Sequence, residues 1–262
     1  MKLRIFQIDA FAERMFTGNP AAVCILDSWI DDNLMQQIAA ENNLAETVFA
    51  VKNNDRYAIR WFTPEIEVDL CGHATLATAF VLFNHYLPNE KHIEFFSSRS
   101  GSLRVEKSEN GYLTLDFPAD DLTAVDPMPQ LYDALGATPE HIFKGKTDYL
   151  LVYNNQDEIK DMDPNFFLLN QIDARGIIVT AKGEEVDFVS RFFAPQAGIN
   201  EDPVTGSAHT SLTPYWSKIL GKDRLTAKQL SKRGGELICE NHGTRIKISG
   251  KAVSYLIGEI EV

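Results

Sequence analysis

The sequence predicts an α+β fold of two pseudo-symmetric domains, each a curved, mostly antiparallel sheet rolled round one central helix. The main observation is a repeated segment, Arg-Trp-Phe-Thr-Pro at 60–64 and Arg-Phe-Phe-Ala-Pro at 191–195, half a chain length apart. Each copy is followed by an acid (Asp69, Asp202), then by a Gly-X-Ala turn and a segment of helical length. Short segments typical of strands fill much of the remaining chain.

The first half, residues 1–118, contains two helical patterns among several strands. Apolar residues with helical spacing predict a helix over Trp29–Asn42, and a nearly unbroken apolar run predicts a fully buried helix over His73–His85. A turn at Gly18-Asn19-Pro20 leads into the second strand. Strands are predicted at 3–10, 21–26, 47–51, 57–62, 93–96, 101–107 and 111–117.

The second half, residues 119–262, repeats this order after a junction predicted at Phe117–Asp121. Its central helix is predicted from Ser207 to Leu220, with a bend because Pro214 deprives the carbonyl of Thr210 of its helical partner. A short helix is predicted at 129–135, and strands at 149–153, 176–180, 187–194, 245–249 and 254–262.

Composition excludes several classes of function. The net charge is −12 and no block of Lys or Arg is present, so we expect no nucleic-acid partner. A small anionic metabolite remains possible as a ligand, because local donors are enough to hold it. No apolar run reaches the roughly 18 residues that span a bilayer, so no membrane association is expected. The three cysteines form no paired framework, which favours a reduced, cytoplasmic setting.

The two Gly-X-Ala turns, Gly72-His73-Ala74 and Gly206-Ser207-Ala208, each open the central helix of their half. A helix N-terminus carries unpaired N–H groups and a partial positive charge, and glycine lets a ligand approach the backbone. If the two halves face each other, both turns point into one cleft suited to a carboxylate or an enolate-like charge. The alternative is structural, since glycine and serine are common at helix starts and Ser207 suits an N-cap.

Three side chains near these turns are candidates for proton transfer. His73 follows the first glycine and Asp202 precedes the second, while Glu46 lies between an amphipathic helix and a strand. In a half-buried strand Glu46 would share a face with Val48 and Ala50, and such a lining suits a general acid or base near neutral pH. Structural alternatives stay open for each: a buried, satisfied histidine, an Asp-Pro turn, and a solvated glutamate at a strand edge.

Four motifs, in order along the chain, resemble the PhzF-like phenazine-biosynthesis family. That family shares its two-domain architecture with diaminopimelate epimerase, in which each domain is a sheet rolled round a central helix. The resemblance therefore implies a diaminopimelate epimerase-like fold, in agreement with the repeat. The motifs are Gly18–Val23, Leu44–Phe49, Leu70–Thr75 and Glu201–His209.

The resemblance implies a cofactor-independent isomerase. In the family, the glutamate of the Glu-Thr motif moves a proton between carbons of a cyclic diene acid, and that position is Glu46 here. The supporting catalytic positions would be His73, Asp202 and Ser207.

The resemblance also implies how the substrate would be held. Backbone groups at Gly72 and Gly206 would bind the substrate carboxylate, and Asn19 would line the cleft. A homodimer is expected, and the last strand is expected to cross back to the first half, as in related folds.

Cys71 marks a departure from the related epimerases, in which a cysteine precedes each glycine and the pair exchanges protons. The second position here is Thr205, whose hydroxyl is far too weak an acid for that role. One-base isomerisation through Glu46 fits better, with Cys71 a packing residue. The rival hypotheses are a racemase or epimerase using Cys71 with a non-thiol partner, and a binding protein that lost catalysis. We expect no metal, because no His/Cys cluster has metal spacing, and no nucleotide cofactor, because Gly-X-Gly-X-X-Gly is absent.

Overall fold

A computed structural model describes all residues from 1 to 262, and the chain forms two compact units. The first unit comprises Met1–Asp116 together with Ser249–Val262, and the second unit comprises Phe117–Ile248. The chain thus leaves the first unit near the expected junction and returns to it for its last strand.

The first unit contains two helices, α1 and α2, and a sheet of short strands. The helices are α1 (Asp32–Asn42) and α2 (Gly72–His85). The strands are β1 (Lys2–Ala10), β2 (Asn19–Leu26), β3 (Glu46–Asn53), β4 (Arg56–Phe62), β5 (Glu67–Val68), β6 (His92–Ser97), β7 (Gly101–Lys107), β8 (Leu113–Pro118) and β18 (Ala252–Glu261).

The second unit contains four helices and nine further strands. The helices are α3 (Pro129–Leu135), α4 (Gln156–Lys160), α5 (Phe166–Leu169) and α6 (Ala208–Leu220), with a 3-10 turn at Pro195–Ala197. The strands are β9 (Thr123–Ala124), β10 (His141–Lys144), β11 (Asp148–Val152), β12 (Gly176–Lys182), β13 (Phe188–Ala194), β14 (Ile199–Glu201), β15 (Arg224–Gln229), β16 (Gly235–Asn241) and β17 (Arg245–Gly250).

The two units repeat one pattern of strand pairing. In the first, β2 is parallel to β3, β3 antiparallel to β4, and β4 parallel to β6, which pairs with β7. In the second, β11, β12, β13, β15 and β16 follow the same sequence of parallel and antiparallel pairs. The short strands β5 and β14 pair with β4 and β13 in the same way. The predicted α+β architecture of two like halves is therefore confirmed.

Helix α2 is the centre of the first unit. It packs against β1, β2, β3 and β18, and its residues are almost all withdrawn from solvent. Each large apolar side chain buried in this way contributes about 1.5–3 kcal/mol through the hydrophobic effect. The apolar run that predicts a fully buried helix is thus explained by sheet on several sides.

Helix α6 is the corresponding helix of the second unit and packs against β11, β15 and β16. It continues through Pro214, which cannot donate to the carbonyl of Thr210. The backbone N–H of Asp120 donates to that carbonyl instead, at 3.2 Å. The carbonyl that we expected to lose its helical partner therefore has a partner from outside the helix.

Several elements differ from the sequence-based expectations. Helix α1 begins at Asp32 rather than Trp29, because the side chain of Asp31 accepts hydrogen bonds from two N–H groups of the first turn. The short helices α4 and α5 were not predicted, although each begins after an asparagine, Asn155 or Asn165, whose side chain caps it. None of the helices has both the length and the apolar character needed to cross a lipid bilayer.

Candidate active site

Glu46 is the first residue of β3, where it lies opposite Ala21 of β2 in a parallel pair. Its neighbour Thr47 is fixed by a hydrogen bond from Asn42, the last residue of α1, at 3.0 Å. The side chain of Glu46 is only 12% exposed. The strand therefore presents a carboxylate from a rigid and largely desolvated position, which excludes the solvated-glutamate alternative.

His73 lies in the first turn of α2 and is buried. Its Nε2 lies 3.0 Å from Oε2 of Glu46, and this buried carboxylate oxygen has no other hydrogen-bond partner in the protein. The other ring nitrogen, Nδ1, lies 3.1 Å from Nδ2 of Asn19 and 3.4 Å from Sγ of Cys71. The structure therefore brings together three of the predicted residues, Asn19, Glu46 and His73, and adds Cys71 to them.

The charge state of this cluster follows from its burial and its contacts. Burial alone would lower the pKa of His73, but the nearby Cys71 and Glu46 together hold it well above its ordinary value. Burial raises the pKa of Cys71 to about 11, and the negative charge of Glu46 acts in the same direction. Near neutral pH Cys71 is therefore a thiol, and the contacts that His73 makes with Cys71 and Glu46 favour the protonated imidazole.

Gly18 fixes the approach of Asn19 to the cluster. Its φ angle of +69° is one that residues with a side chain rarely adopt. A Cβ at this position would also lie 2.2 Å from the backbone oxygen of Ala10 and 2.8 Å from Cβ of Ala12. The glycine that opens the Gly18–Val23 motif is thus required by backbone packing, and it places the buried Asn19 at the start of β2.

Ser207 precedes α6 but does not cap it, because its side chain makes no hydrogen bond to the first turn. Its Oγ instead accepts a hydrogen bond from Nη2 of Arg175 at 3.1 Å. Arg175 also binds the buried carboxylate of Asp148, with Nε donating to Oδ1 at 2.9 Å and Nη2 to Oδ2. The N-cap interpretation of Ser207 is therefore wrong.

Asp202 and Thr205 form the loop that leads to Gly206. The hydroxyl of Thr205 donates to Oδ2 of Asp202. The fully buried Gln229 ties both residues down, donating to the backbone oxygen of Asp202 at 2.7 Å and accepting from the backbone N–H of Thr205 at 2.9 Å. The Asp-Pro turn is thus held from β15, and Thr205 acts as a hydrogen-bond donor to Asp202.

Neither of the central helices α2 and α6 has a side chain that makes a capping hydrogen bond to the N–H groups of its first turn. Cys71 holds the N-cap position of α2 and Ser207 that of α6, and neither makes a capping hydrogen bond. An N-terminus of this kind leaves donors for an anion at Gly72 and Gly206. That the two turns face a common cleft stays a prediction.

Sequence reasoning missed an Arg–Glu ion pair that occurs once in each copy of the repeat, before the glycine turn. Arg60 donates through Nε and Nη2 to both carboxylate oxygens of Glu67, at 2.7 and 2.9 Å, and Arg191 binds Glu201 in the same way, at 2.7 and 3.0 Å. Each glutamate lies opposite the second residue after its arginine. The acids that correspond in the repeat are thus Glu67 and Glu201, a match visible only once strand pairing is known.

A cavity of about 480 Å³ adjoins the first of these pairs, away from the predicted site residues. It is lined by Trp29, Arg60, Glu67 and Arg99, among others. Both arginines are already paired with carboxylates, Arg60 with Glu67 and Arg99 with Glu67 and Asp69. Because its cations are neutralised within the protein, this cavity does not replace the cluster at His73 as the candidate site.

One group of side chains has ligand types that suit a metal ion, namely Glu46, Cys71 and His73, whose ligand atoms lie within 4.8 Å of one another. Spacing along the sequence did not reveal this group, because β3 and α2 bring its members together. However, His73 turns Nε2 toward Glu46 and Nδ1 toward Cys71. Nε2 also lies 4.0 Å from Sγ of Cys71, so one ring nitrogen is near both neighbours, and the group has the ligand types and spacing of a metal site as well as the contacts of a hydrogen-bonded chain.

Comparisons with known proteins identify the family that this chain resembles in sequence and fold. A sequence model of the family described as phenazine biosynthesis-like protein matches residues 8–258. An uncharacterized isomerase of Pseudomonas aeruginosa is 50% identical over 262 residues, with all of both chains covered. A crystal structure of a PhzF family protein from Enterococcus faecalis superposes with a TM-score of 0.97 at 48% identity, again covering both chains completely.

A more distant likeness concerns the fold alone. A hydroxyproline epimerase from Agrobacterium vitis superposes with a TM-score of 0.64 at 8% identity, covering 99% of this chain and 92% of that one. The expectation of an epimerase-like architecture is therefore confirmed.

Proposed function

This chain belongs to the phenazine biosynthesis-like (PhzF) family and is an isomerase, and we propose that it moves a proton between carbons of a small carboxylate-bearing metabolite without a cofactor. Glu46 is the proton shuttle. The observation that carries this proposal is the 3.0 Å contact between Oε2 of Glu46 and Nε2 of His73 at the start of α2.

The ionised pair suits a base that must also return its proton. Glu46 as carboxylate accepts a proton from carbon, and the positive charge of His73, whose Nε2 is turned to Glu46, stabilises by electrostatic attraction the negative charge that then develops on the substrate. Because the pair is largely desolvated, its electrostatic interactions are stronger than in water. After transfer, Glu46 as the acid returns the proton to a second carbon, and the enzyme is unchanged.

Each unit offers its own proposed donors for a substrate carboxylate. In the first unit these are the backbone groups at Gly72, with Asn19 orienting His73 and contacting the substrate; in the second they are the backbone groups at Gly206 and the hydroxyl of Ser207. Asp202 would position the loop before Gly206 through its bond from Thr205. Support comes from the absence of side-chain caps on α2 and α6.

The proposal is tested by hydrogen exchange. Candidate carboxylic acids, cyclic dienes first, are incubated with the protein in deuterated water, and loss of carbon-bound protons is followed by NMR. Glu46→Gln should slow this exchange at least about a hundredfold, the range for loss of a general base. The matched control is Glu41→Gln, at an exposed position near the end of α1, which should exchange like the parent. An unchanged rate in Glu46→Gln would reject the assignment.

A second candidate function is a racemase or epimerase that uses Cys71. The contact of 3.4 Å between its Sγ and Nδ1 of His73 favours it, since the positive charge and hydrogen bond of His73 lower the pKa of the thiol and so favour the reactive thiolate. Against it stand the raised pKa of Cys71 and the hydroxyl at Thr205 in place of a second thiol. Full activity in Cys71→Ala would eliminate this alternative, whereas loss of exchange in Cys71→Ala with Glu46→Gln active would establish it.

We also propose that the protein is a cytoplasmic homodimer. Three free, buried cysteines suit a reducing compartment. Support for a second copy comes from exposed apolar side chains on and beside β18: Phe16 is 66% exposed, and Tyr255, Leu256 and Ile257 are 47%, 42% and 50% exposed. Light scattering after gel filtration should give a particle of twice the chain mass. Leu256→Glu should reduce this to the mass of one chain, and a monomeric parent would contradict the proposal.

A further inference from the structure

Arg175 is a cation held beside the second glycine turn, and neither the repeat nor the family motifs drew attention to it. Its backbone N–H donates to the oxygen of Thr147 at 3.1 Å, and its guanidinium forms a two-point ion pair with Asp148, whose side chain is only 6% exposed. The guanidinium carbon lies 5.6 Å from the ring centre of Phe192. Backbone, ion pair and ring together fix the direction of the side chain.

The hydrogen bond from Arg175 determines what Ser207 can still do. A serine hydroxyl has one proton to donate and can accept two hydrogen bonds. Because Oγ of Ser207 accepts from Nη2 of Arg175 at 3.1 Å, its own proton must point elsewhere. No group of the protein accepts that proton, and Ser207 is partly exposed, so the proton is free for a ligand.

We propose that Arg175 is a positioning residue that holds Ser207 by its oxygen, so that the Ser207 hydroxyl proton is presented to the substrate carboxylate. This inference rests on the proposed function, which places Ser207 at that carboxylate. A charged donor also polarises the hydroxyl it binds, which strengthens the hydrogen bond that the hydroxyl donates in turn. Asp148 completes the arrangement, because it anchors the same Nη2 that reaches Ser207.

The arrangement differs from direct capture of the substrate by the guanidinium. Burial alone would lower the pKa of Arg175, but hydrogen bonding to Asp148 and the charges of Asp148, Asp202 and Asp120 raise it. Carboxylates of the second unit therefore already offset the positive charge of Arg175. Its donors Nε and Nη2 are occupied by Asp148 and Ser207. Nη1 is the guanidinium donor left for direct contact with an anion, and the experiment below distinguishes that contact from an influence that passes through the serine.

A double-mutant cycle with benzoate as the probe tests this inference. Dissociation constants are measured by isothermal titration for the parent, Arg175→Met, Ser207→Ala and the double variant, with benzyl alcohol as the uncharged control probe. Each single change should weaken benzoate binding about tenfold, which corresponds to one hydrogen bond to a charged group, and the double variant should be no weaker than Ser207→Ala. Benzyl alcohol affinity should not change.

Three outcomes would overturn the inference. Additive effects would mean that Arg175 contacts the anion itself, unchanged affinity in Arg175→Met would mean that it has no role, and no saturable binding by the parent would remove Ser207 from the carboxylate. Because Arg175→Met leaves Asp148 buried without a partner, the cycle is repeated in the Asp148→Asn background, where no uncompensated charge remains. The test reads affinity alone, so failure of Glu46 as a shuttle leaves its result interpretable.

Discussion

Oε2 of Glu46 lies 3.0 Å from Nε2 of His73, although the two residues belong to different elements, β3 and α2. The imidazole lies in the first turn of a helix, where the helix dipole disfavours a cation. Cys71 and Glu46 together outweigh that effect, because the net result is a raised pKa for His73. The protonated form of His73 is therefore favoured although both burial and the helix dipole act to lower its pKa.

The stability that His73 provides should depend on pH. Its pKa is raised in the folded protein, so the contribution is fully present below the unfolded value of about 6.5 and is lost as the pH rises through the folded value. The free energy of unfolding in urea, measured from about pH 6 to about pH 9, should show the parent losing its advantage over His73→Gln as the pH rises. His92→Gln, at an exposed strand residue, is the control and should follow the parent at every pH. A constant difference between parent and His73→Gln would contradict the assignment.

His209 should act in the opposite direction at acidic pH. Burial lowers its pKa to about 4, while a contact with the backbone oxygen of Thr205 opposes this. The unfolded chain then binds more protons between about pH 4 and about pH 6.5, so stability should fall by up to about 3 kcal/mol as the pH falls through that interval. His209→Gln should flatten this part of the curve, whereas His141→Gln, at an exposed residue, should leave it as steep as in the parent. Equal slopes in parent and His209→Gln would show that His209 is not the group responsible.

Replacement of Gly18 by alanine should be severe. The new Cβ would overlap the oxygen of Ala10 in addition to the strain of a positive φ angle. Gly111→Ala is the matched control, since Gly111 has a φ of +82° and open space around it. We expect a loss of about 1 kcal/mol for Gly111→Ala and more than about 3 kcal/mol for Gly18→Ala, measured by urea unfolding. Similar losses in the two variants would mean that the overlap is relieved at little cost.

Removal of Arg191 should destabilise the second unit strongly. The side chain is 11% exposed, binds Glu201 at two points and donates to the backbone oxygens of Ile159 and Met162 at 3.1 and 2.6 Å. Arg191→Met leaves these acceptors without partners, and we expect a loss of about 3 kcal/mol or more in the free energy of unfolding. Adding Glu201→Gln to Arg191→Met should restore part of the lost free energy of unfolding, because no unpaired charge then remains at residue 201.

The exposed pair Lys2–Glu259 provides the comparison for that experiment. Its side chains are 65% and 55% exposed, so Lys2→Met should change stability by less than about 1 kcal/mol. If Arg191→Met were equally mild, the duplicated ion pairs would be surface features without a role in holding the turns.

Much of the fold could be predicted from the sequence because the relevant signals are local. The apolar run after Gly72 identifies α2, and the bounds of α3 at Pro129–Leu135 were predicted without error, since proline starts the helix and Gly136 ends it with a φ of +68°. Strands β15 and β16 were missed, as were the helices α4 and α5. Helices α4 and α5 have only five and four residues, too few for a helical period to show in the sequence. Strand β15 also pairs in parallel with the distant β13, a contact that the residue pattern does not report.

The sequence predicts which residues belong to the candidate site, but it does not predict which of them contact each other. Motifs identified Glu46 and His73 separately, and only the packing of α2 against β3 shows that they touch. The assignment of Cys71 to packing missed its contact with His73, since sequence spacing does not report side-chain direction. Arg175 carried no motif at all, because its partners Asp148 and Ser207 come from distant parts of the sequence.

The pairing of β1 with β18 affects the order in which the chain can assemble during synthesis. Residues 2–10 emerge from the ribosome well before their partners at 252–261. The second unit, Phe117–Ile248, is continuous and has all its residues available before then. The half that carries Glu46 and His73 is therefore completed after the half that follows it in the sequence. Until then β1 presents one unpaired edge, the kind of surface that chaperones protect from aggregation in a nascent chain.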